Sequence, residues 1–173
     1  MKRLSVIIFV FGIISFASCH YEKPGFYEGR DYVQFYYSGN LTYKDSTEVK
    51  TSPVNYPYIS LTRSRDTAWF RLKAIGTPSS RDRQVRFEQY TDEADKNYIE
   101  AVPGVNYVAF DDPEIQKYMV IPADSVYMNV PVVILYKSGI QGSIVLNFRL
   151  VSTDDFELGM PTLLKGRCMY SNY

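Results

Sequence analysis

Thr67-Ala68-Trp69-Phe70-Arg71-Leu72-Lys73-Ala74-Ile75 alternates without a break: Ala68, Phe70, Leu72 and Ala74 share one parity, while Trp69, Arg71 and Lys73 share the other. Successive side chains of an extended chain point to opposite faces, so this stretch reads as a strand with one face in a core and the other in water. A helix would repeat its apolar residues every three or four positions, and no helix-length stretch from Asp31 onward does so. The same period of two returns in Ser125 to Leu135, where Val126, Met128, Val130, Val132 and Ile134 face one way with Pro131 opposite. Pro131 has no N–H to give to a ladder, which predicts an edge strand or a bulge. Ile144, Leu146, Phe148 and Leu150 alternate with Val145, Asn147, Arg149 and Val151 in a third two-faced strand.

Weaker strands fill the intervals. Tyr32 to Tyr37 reads as the first, Val85 and Phe87 alternate with Arg86 and Glu88, and Asn106 to Phe110 and Tyr118 to Ile121 are short further ones. Between them lie turn signals: Pro78-Ser79-Ser80, Pro122-Ala123-Asp124, and Lys137 to Gly142 with its two glycines. Thr91 to Lys96 reads as a charged loop, and Ser38 to Pro57 as a polar stretch of turns around weakly formed structure. About six strands joined by short turns predict an all-β sandwich over 31–173.

The start of the chain has a different logic. Lys2 and Arg3 precede an almost unbroken apolar run from Leu4 to Phe16, and Ala17-Ser18 are small. Such a run is shorter than the roughly 20 apolar residues of a spanning helix and matches a secretory leader, 1–18. Small residues directly before a cysteine distinguish a lipoprotein leader, and Phe16-Ala17-Ser18-Cys19 resembles the bacterial lipobox, with Phe16 where leucine is commoner. The resemblance implies a diacylglycerol on the Cys19 sulfur and cleavage that leaves Cys19 first. Two or more acyl chains hold a membrane far more firmly than one, which gives this modification its purpose. Residues 19–30, with Pro24, Gly25 and Gly29 among mixed charges, read as a short tether.

Composition narrows the function. The 19 basic and 19 acidic side chains balance, so the chain has no general attraction for nucleic acid. His20, the one histidine, sits in the tether, which removes histidine triads and histidine-bound zinc from the sandwich. No phosphate-cradling glycine loop occurs. Asp111-Asp112 and Asp154-Asp155 are the acids available for glycosidase chemistry, but doublets beside Pro113 or at a strand end are ordinary turn chemistry. With Asp92, Glu93 and Asp95 they are also calcium candidates, though calcium wants six to eight oxygens and the EF-hand spacing is absent. The expectation is a non-enzyme with no catalytic residues, no metal and no cofactor. Sixteen tyrosines suit half-buried strand surfaces. Trp69 falls on the wet face beside Arg71 and Lys73, where it stacks on a sugar ring, covers a cross-strand tyrosine or packs under a loop.

A longer series carries a family likeness: Asp66 to Gly76, Asp82-Arg83 before Val85, Tyr118 to Leu135 around Ile121-Pro122-Ala123, and Asp155-Phe156-Glu157-Leu158-Gly159. It resembles an uncharacterised Bacteroidota lipoprotein family, domain of unknown function 4843, and more distantly the Calx-β sandwich domains. The resemblance spans about Tyr32 to Pro161 and implies an immunoglobulin-like (Calx-β or fibronectin-III-like) sandwich on an outer-membrane lipoprotein, often encoded beside glycan-import machinery. Members usually continue well past the Phe-x-Leu-Gly position, so Leu163 to Tyr173 reads as the start of a strand cut short, in a chain lacking its C-terminal segment. The expected function is a lipid-anchored accessory of glycan capture or import at the outer membrane, with polysaccharide or import proteins as partners. A structural spacer or adhesion module of an envelope complex is the alternative.

Overall fold

A computed structural model describes residues 29–36 and 54–172; Cys19, the leader, most of the tether and most of the polar stretch after Ser38 lie outside them. The three strongly alternating segments become the long strands β3 (Arg65–Ile75), β8 (Tyr127–Leu135) and β9 (Gly142–Val151). Around them run β1 (Tyr32–Phe35), β2 (Val54–Asn55), β4 (Arg83–Gln84), β5 (Arg86–Gln89), β6 (Ile99–Glu100), β7 (Val120–Ile121), β10 (Glu157–Leu158) and β11 (Lys165–Asn172).

Two sheets result. The first has the order β10-β1-β3-β8 and the second β2-β11-β9-β5, with β6 continuing beyond β5 along the same edge of β9. In the first sheet β3 is antiparallel to both neighbours, whereas β1 and β10 run parallel. The β3–β8 ladder runs uninterrupted from Arg65 opposite Leu135 to Lys73 opposite Tyr127. Pro131 therefore sits in a regular strand without a bulge, on the sheet's outermost strand. Part of the far edge of β8 is covered: Val108 N–H donates to Val133 O at 2.9 Å, and Leu135 N–H to Asn106 O at 2.8 Å.

The core lies between the sheets. Phe70, Leu72 and Ala74 from β3 meet Ile144, Leu146 and Phe148 from β9, all buried. Phe148 is the hub of an aromatic cluster, with Phe70 at 4.9 Å, Phe87 at 5.1 Å, Phe110 at 5.4 Å and Phe35 at 6.0 Å between ring centroids. Offset and edge-on pairs of this kind contribute about 0.5–1.5 kcal/mol each beyond their burial.

Four local expectations are revised. The segment around Val85 and Phe87 is two strands, because Val85 N–H donates to Met119 O, the next step of the pairing with Val120–Ile121, while Arg86 onward turns to β9. β4 then pairs with β7 and β5 with β9. Asn106 to Phe110 is an edge cover and not a strand: it forms a single bridge to β8, Tyr107 opposite Ile134, through the Asn106 and Val108 hydrogen bonds. Asp112-Pro113 opens a one-turn helix, α1 (Pro113–Gln116), where Asp112 caps Glu114 N–H at 2.8 Å and Pro113 needs no donor. Finally, Lys165–Asn172 is an eight-residue strand inside the second sheet, paired with both β9 and β2, where only the start of a strand was expected.

Candidate functional site

The outward face of the first sheet gathers rings and cations. Alternation along β3 turns Trp69, Arg71 and Lys73 away from the core, and the register sets Pro131, Asn129 and Tyr127 opposite them. Tyr36, directly after β1, donates its N–H to Arg71 O and so lies beside that row.

Trp69 is 54% exposed, and its ring meets Tyr118 at 6.2 Å with an interplanar angle of 88°. An edge-to-face contact occupies one ring's rim against the other's face. At least one broad face of the indole is therefore not taken by Tyr118, which is itself 42% exposed. The sequence allowed a sugar-stacking Trp69, one covering a cross-strand tyrosine, or one packed under a loop. Here its cross-strand partner is Pro131, and its ring contact comes from the chain just after α1.

Two residues along, the Arg71 guanidinium carbon lies 4.9 Å from the Tyr36 ring centre and 4.6 Å from that of Tyr127. Those two rings are themselves edge to face at 5.3 Å. Lys73 Nζ is 5.9 Å from the Tyr127 centre, and Lys117 Nζ is 5.0 Å from that of Tyr118. Each head sits within the roughly 6 Å over which a ring quadrupole attracts a cation. The tyrosines were visible in the sequence as members of strands. Their gathering on one face was not, because it depends on the β1–β3–β8 order and on the return of the chain after α1.

Of the acids weighed for catalysis or calcium, Asp92, Asp95, Asp112 and Asp155 are engaged in local structure. Asp92 accepts from Ala94 N–H at 3.1 Å, and Asp95 takes Asn147 Nδ2 at 2.7 Å and an ion pair with Arg167. Asp155 accepts from Gln84 N–H at 2.7 Å and pairs with Arg81 at 2.6 Å. Its burial would raise its pKa, but these donors and the nearby Arg83 charge outweigh that and hold it below the usual carboxylate value. No group of three or more His, Cys, Asp or Glu side chains could hold a metal among the described residues.

With this geometry in hand, likenesses to solved structures can be placed. A Bacteroides ovatus protein of unknown function matches with a TM-score of 0.50 at 13% identity, over 80% of this chain and 43% of that one. A second Bacteroides ovatus protein, provisionally described as carbohydrate-binding, matches at 0.48 and 14%, over 82% and 37%. The apo form of the Calx CBD1 domain matches at 0.43 and 9%, over 82% of this chain and 98% of the domain. The chain spans less than half the length of the two Bacteroides structures. No family model matches the sequence, and no curated protein matches it. The chain is an all-β protein with an immunoglobulin-like sandwich fold. Its structural neighbours include Calx-β domains and Bacteroides proteins of unknown or provisionally carbohydrate-binding function.

Proposed function

We propose that the protein is a non-catalytic lipoprotein, anchored in the outer membrane through acylated Cys19, whose sandwich captures polysaccharide on the face that carries Trp69. Capture in this reading serves glycan import, and the protein belongs with the Bacteroidota lipoproteins whose motifs it resembles. The observation that carries the reading is the exposed Trp69 indole, flanked by Tyr118 and continued along β3 by the Tyr36, Arg71 and Tyr127 stack. An exposed ring otherwise costs free energy in water, and a sugar's apolar C–H face is a partner that removes this cost.

The test is a glycan array probed with the full chain in detergent, beside Trp69→Ala. Binding to at least one polysaccharide that Trp69→Ala loses supports capture on this face; a blank array for the parent chain sinks it. The anchor is tested separately by palmitate labelling. The label should vanish with Cys19→Ala, and label that persists would refute acylation at Cys19.

A further inference from the structure

Resting on the capture reading above, we propose that the glycan taken on this face is anionic, a polysaccharide bearing carboxylates or sulfates. Among the described residues, carboxylates pair with Arg30, Arg63, Arg65, Arg81, Arg83, Arg149 and Arg167. Arg71, Lys73 and Lys117 form none of these pairs, and neither do Arg86, Lys96, Lys137 and Lys165 elsewhere, but these three gather on one face, over its tyrosine rings. The outward residues of β3 and β8 that make up the face include no Asp or Glu, and the nearby Glu114 is engaged by Arg65. A chain of 19 basic and 19 acidic residues thus gathers three positive groups on the face of its one tryptophan.

A neutral sugar laid on this surface would strip water from three cations and return only its neutral hydroxyl oxygens, weaker acceptors than an anion's. A carboxylate or sulfate returns charge-assisted hydrogen bonds, and the planar Arg71 fork suits a two-oxygen contact. Tyr36 and Tyr127 already hold that fork, so little side-chain freedom is lost on binding. At the usual strand rise, Trp69 to Lys73 spans about 13 Å, room for successive sugars rather than a single one.

The experiment is affinity electrophoresis of the full chain in detergent against matched pairs that share a backbone and differ in charge. These are dextran against dextran sulfate, and fully methyl-esterified pectin against polygalacturonate; the two pairs separate sulfate from carboxylate. Retardation by at least one charged member and not by its uncharged parent is expected. The triple variant Arg71→Gln, Lys73→Gln, Lys117→Gln should weaken it about tenfold, the sum of three exposed charge contacts. Trp69→Ala should weaken it as well, and Lys96→Gln, a cation on the far sheet's loop, should leave it unchanged. Arg71→Lys keeps the charge and removes the fork; a lower affinity supports the same assignment with minimal disturbance of the fold. Equal retardation by charged and uncharged members, unaffected by the triple variant, overturns the anionic assignment while capture stands. Retardation lost with Lys96→Gln and kept in the triple variant also overturns it. Retardation by no polysaccharide at all removes the capture reading, and this inference with it.

Discussion

Arg83, 2% exposed, donates from Nη1 to Asp31 Oδ2 at 2.6 Å, bridging 52 residues of sequence. Its Nη2 reaches Ser125 O at 2.9 Å and its guanidinium lies 4.9 Å from the Phe156 ring centre. The pair ties the entrance of β1 to β4 and to the turn before β8. Gly76, at φ +137°, completes the niche, because a Cβ there would collide with Asp31 Oδ1.

Removing one partner of a buried pair strands the other charge, at about 3–5 kcal/mol when that charge is cut off from water and less when, like Asp31 at 22% exposed, it can reach solvent. Asp31→Ala strands the buried Arg83 and should destabilise by about 3 kcal/mol, near the low end because Ser125 O still accepts from Arg83 Nη2. Arg83→Met should cost less than Asp31→Ala. Urea unfolding midpoints measure both, and the reverse order would refute the account.

Gly166 of β11 faces Phe148 of β9, and a Cβ on it would fall 2.5 Å from Phe148 Cζ. Four other rings hold Phe148 in place, so it has nowhere to go. Gly166→Ala should cost about 1–3 kcal/mol by overpacking. Combined with Phe148→Leu, the losses should fall short of additive in a double-mutant cycle read by thermal or urea unfolding.

Asp155 titrates below its ordinary value in the fold, so its bonds to Gln84 N–H and Arg81 stabilise the protein only while it is ionised. That contribution is complete above the unfolded carboxylate pKa of about 3.9 and fades as pH falls through the lower folded value. Asp155→Asn should lower the urea midpoint at pH 6, and the gap to the parent protein should close as pH is lowered toward 2. A gap that widens in acid would contradict the assignment.

Burial pushes the Cys168 thiol up, far from its ordinary range, and its side chain faces the core between the sheets. A protonated, enclosed thiol is not a nucleophile. Mass spectrometry of the Cys168 peptide after iodoacetamide should show no alkylation at pH 8 in the folded protein and full alkylation in urea. Labelling at equal rates in both would place the thiol at the surface.

What the sequence disclosed followed burial. β3, β8 and β9 each pack one apolar face on the core, and their alternation was legible residue by residue. β11 was not, because its inward side chains are Gly166, Cys168, Tyr170 and Asn172, and a glycine and an asparagine break the apolar pattern. Their fit makes sense only against Phe148 and against the Lys137 and Ile140 carbonyls, which accept from Asn172 Nδ2. α1 carried a readable signal in Asp112-Pro113, but one turn has no periodicity to find. Of the site, Trp69, Arg71 and Lys73 were legible as one wet face. Tyr36, Tyr118 and Lys117 joined them through strand order and a loop's return, which no local pattern encodes.

β1 lies between β3 and β10, laddered on both sides. If Cys19 carries the anchor, a pull from the membrane enters at Asp31, beyond the Tyr32 end of the β1–β3 ladder. A ligand held at Trp69 pulls on β3 beyond the opposite end, since Phe35 already stands opposite Leu72. Tension between them then runs along the strand axes and loads every rung of the ladder together, in shear rather than peeling. A filament tugging on this protein would have to break those rungs together and could not unzip them one by one.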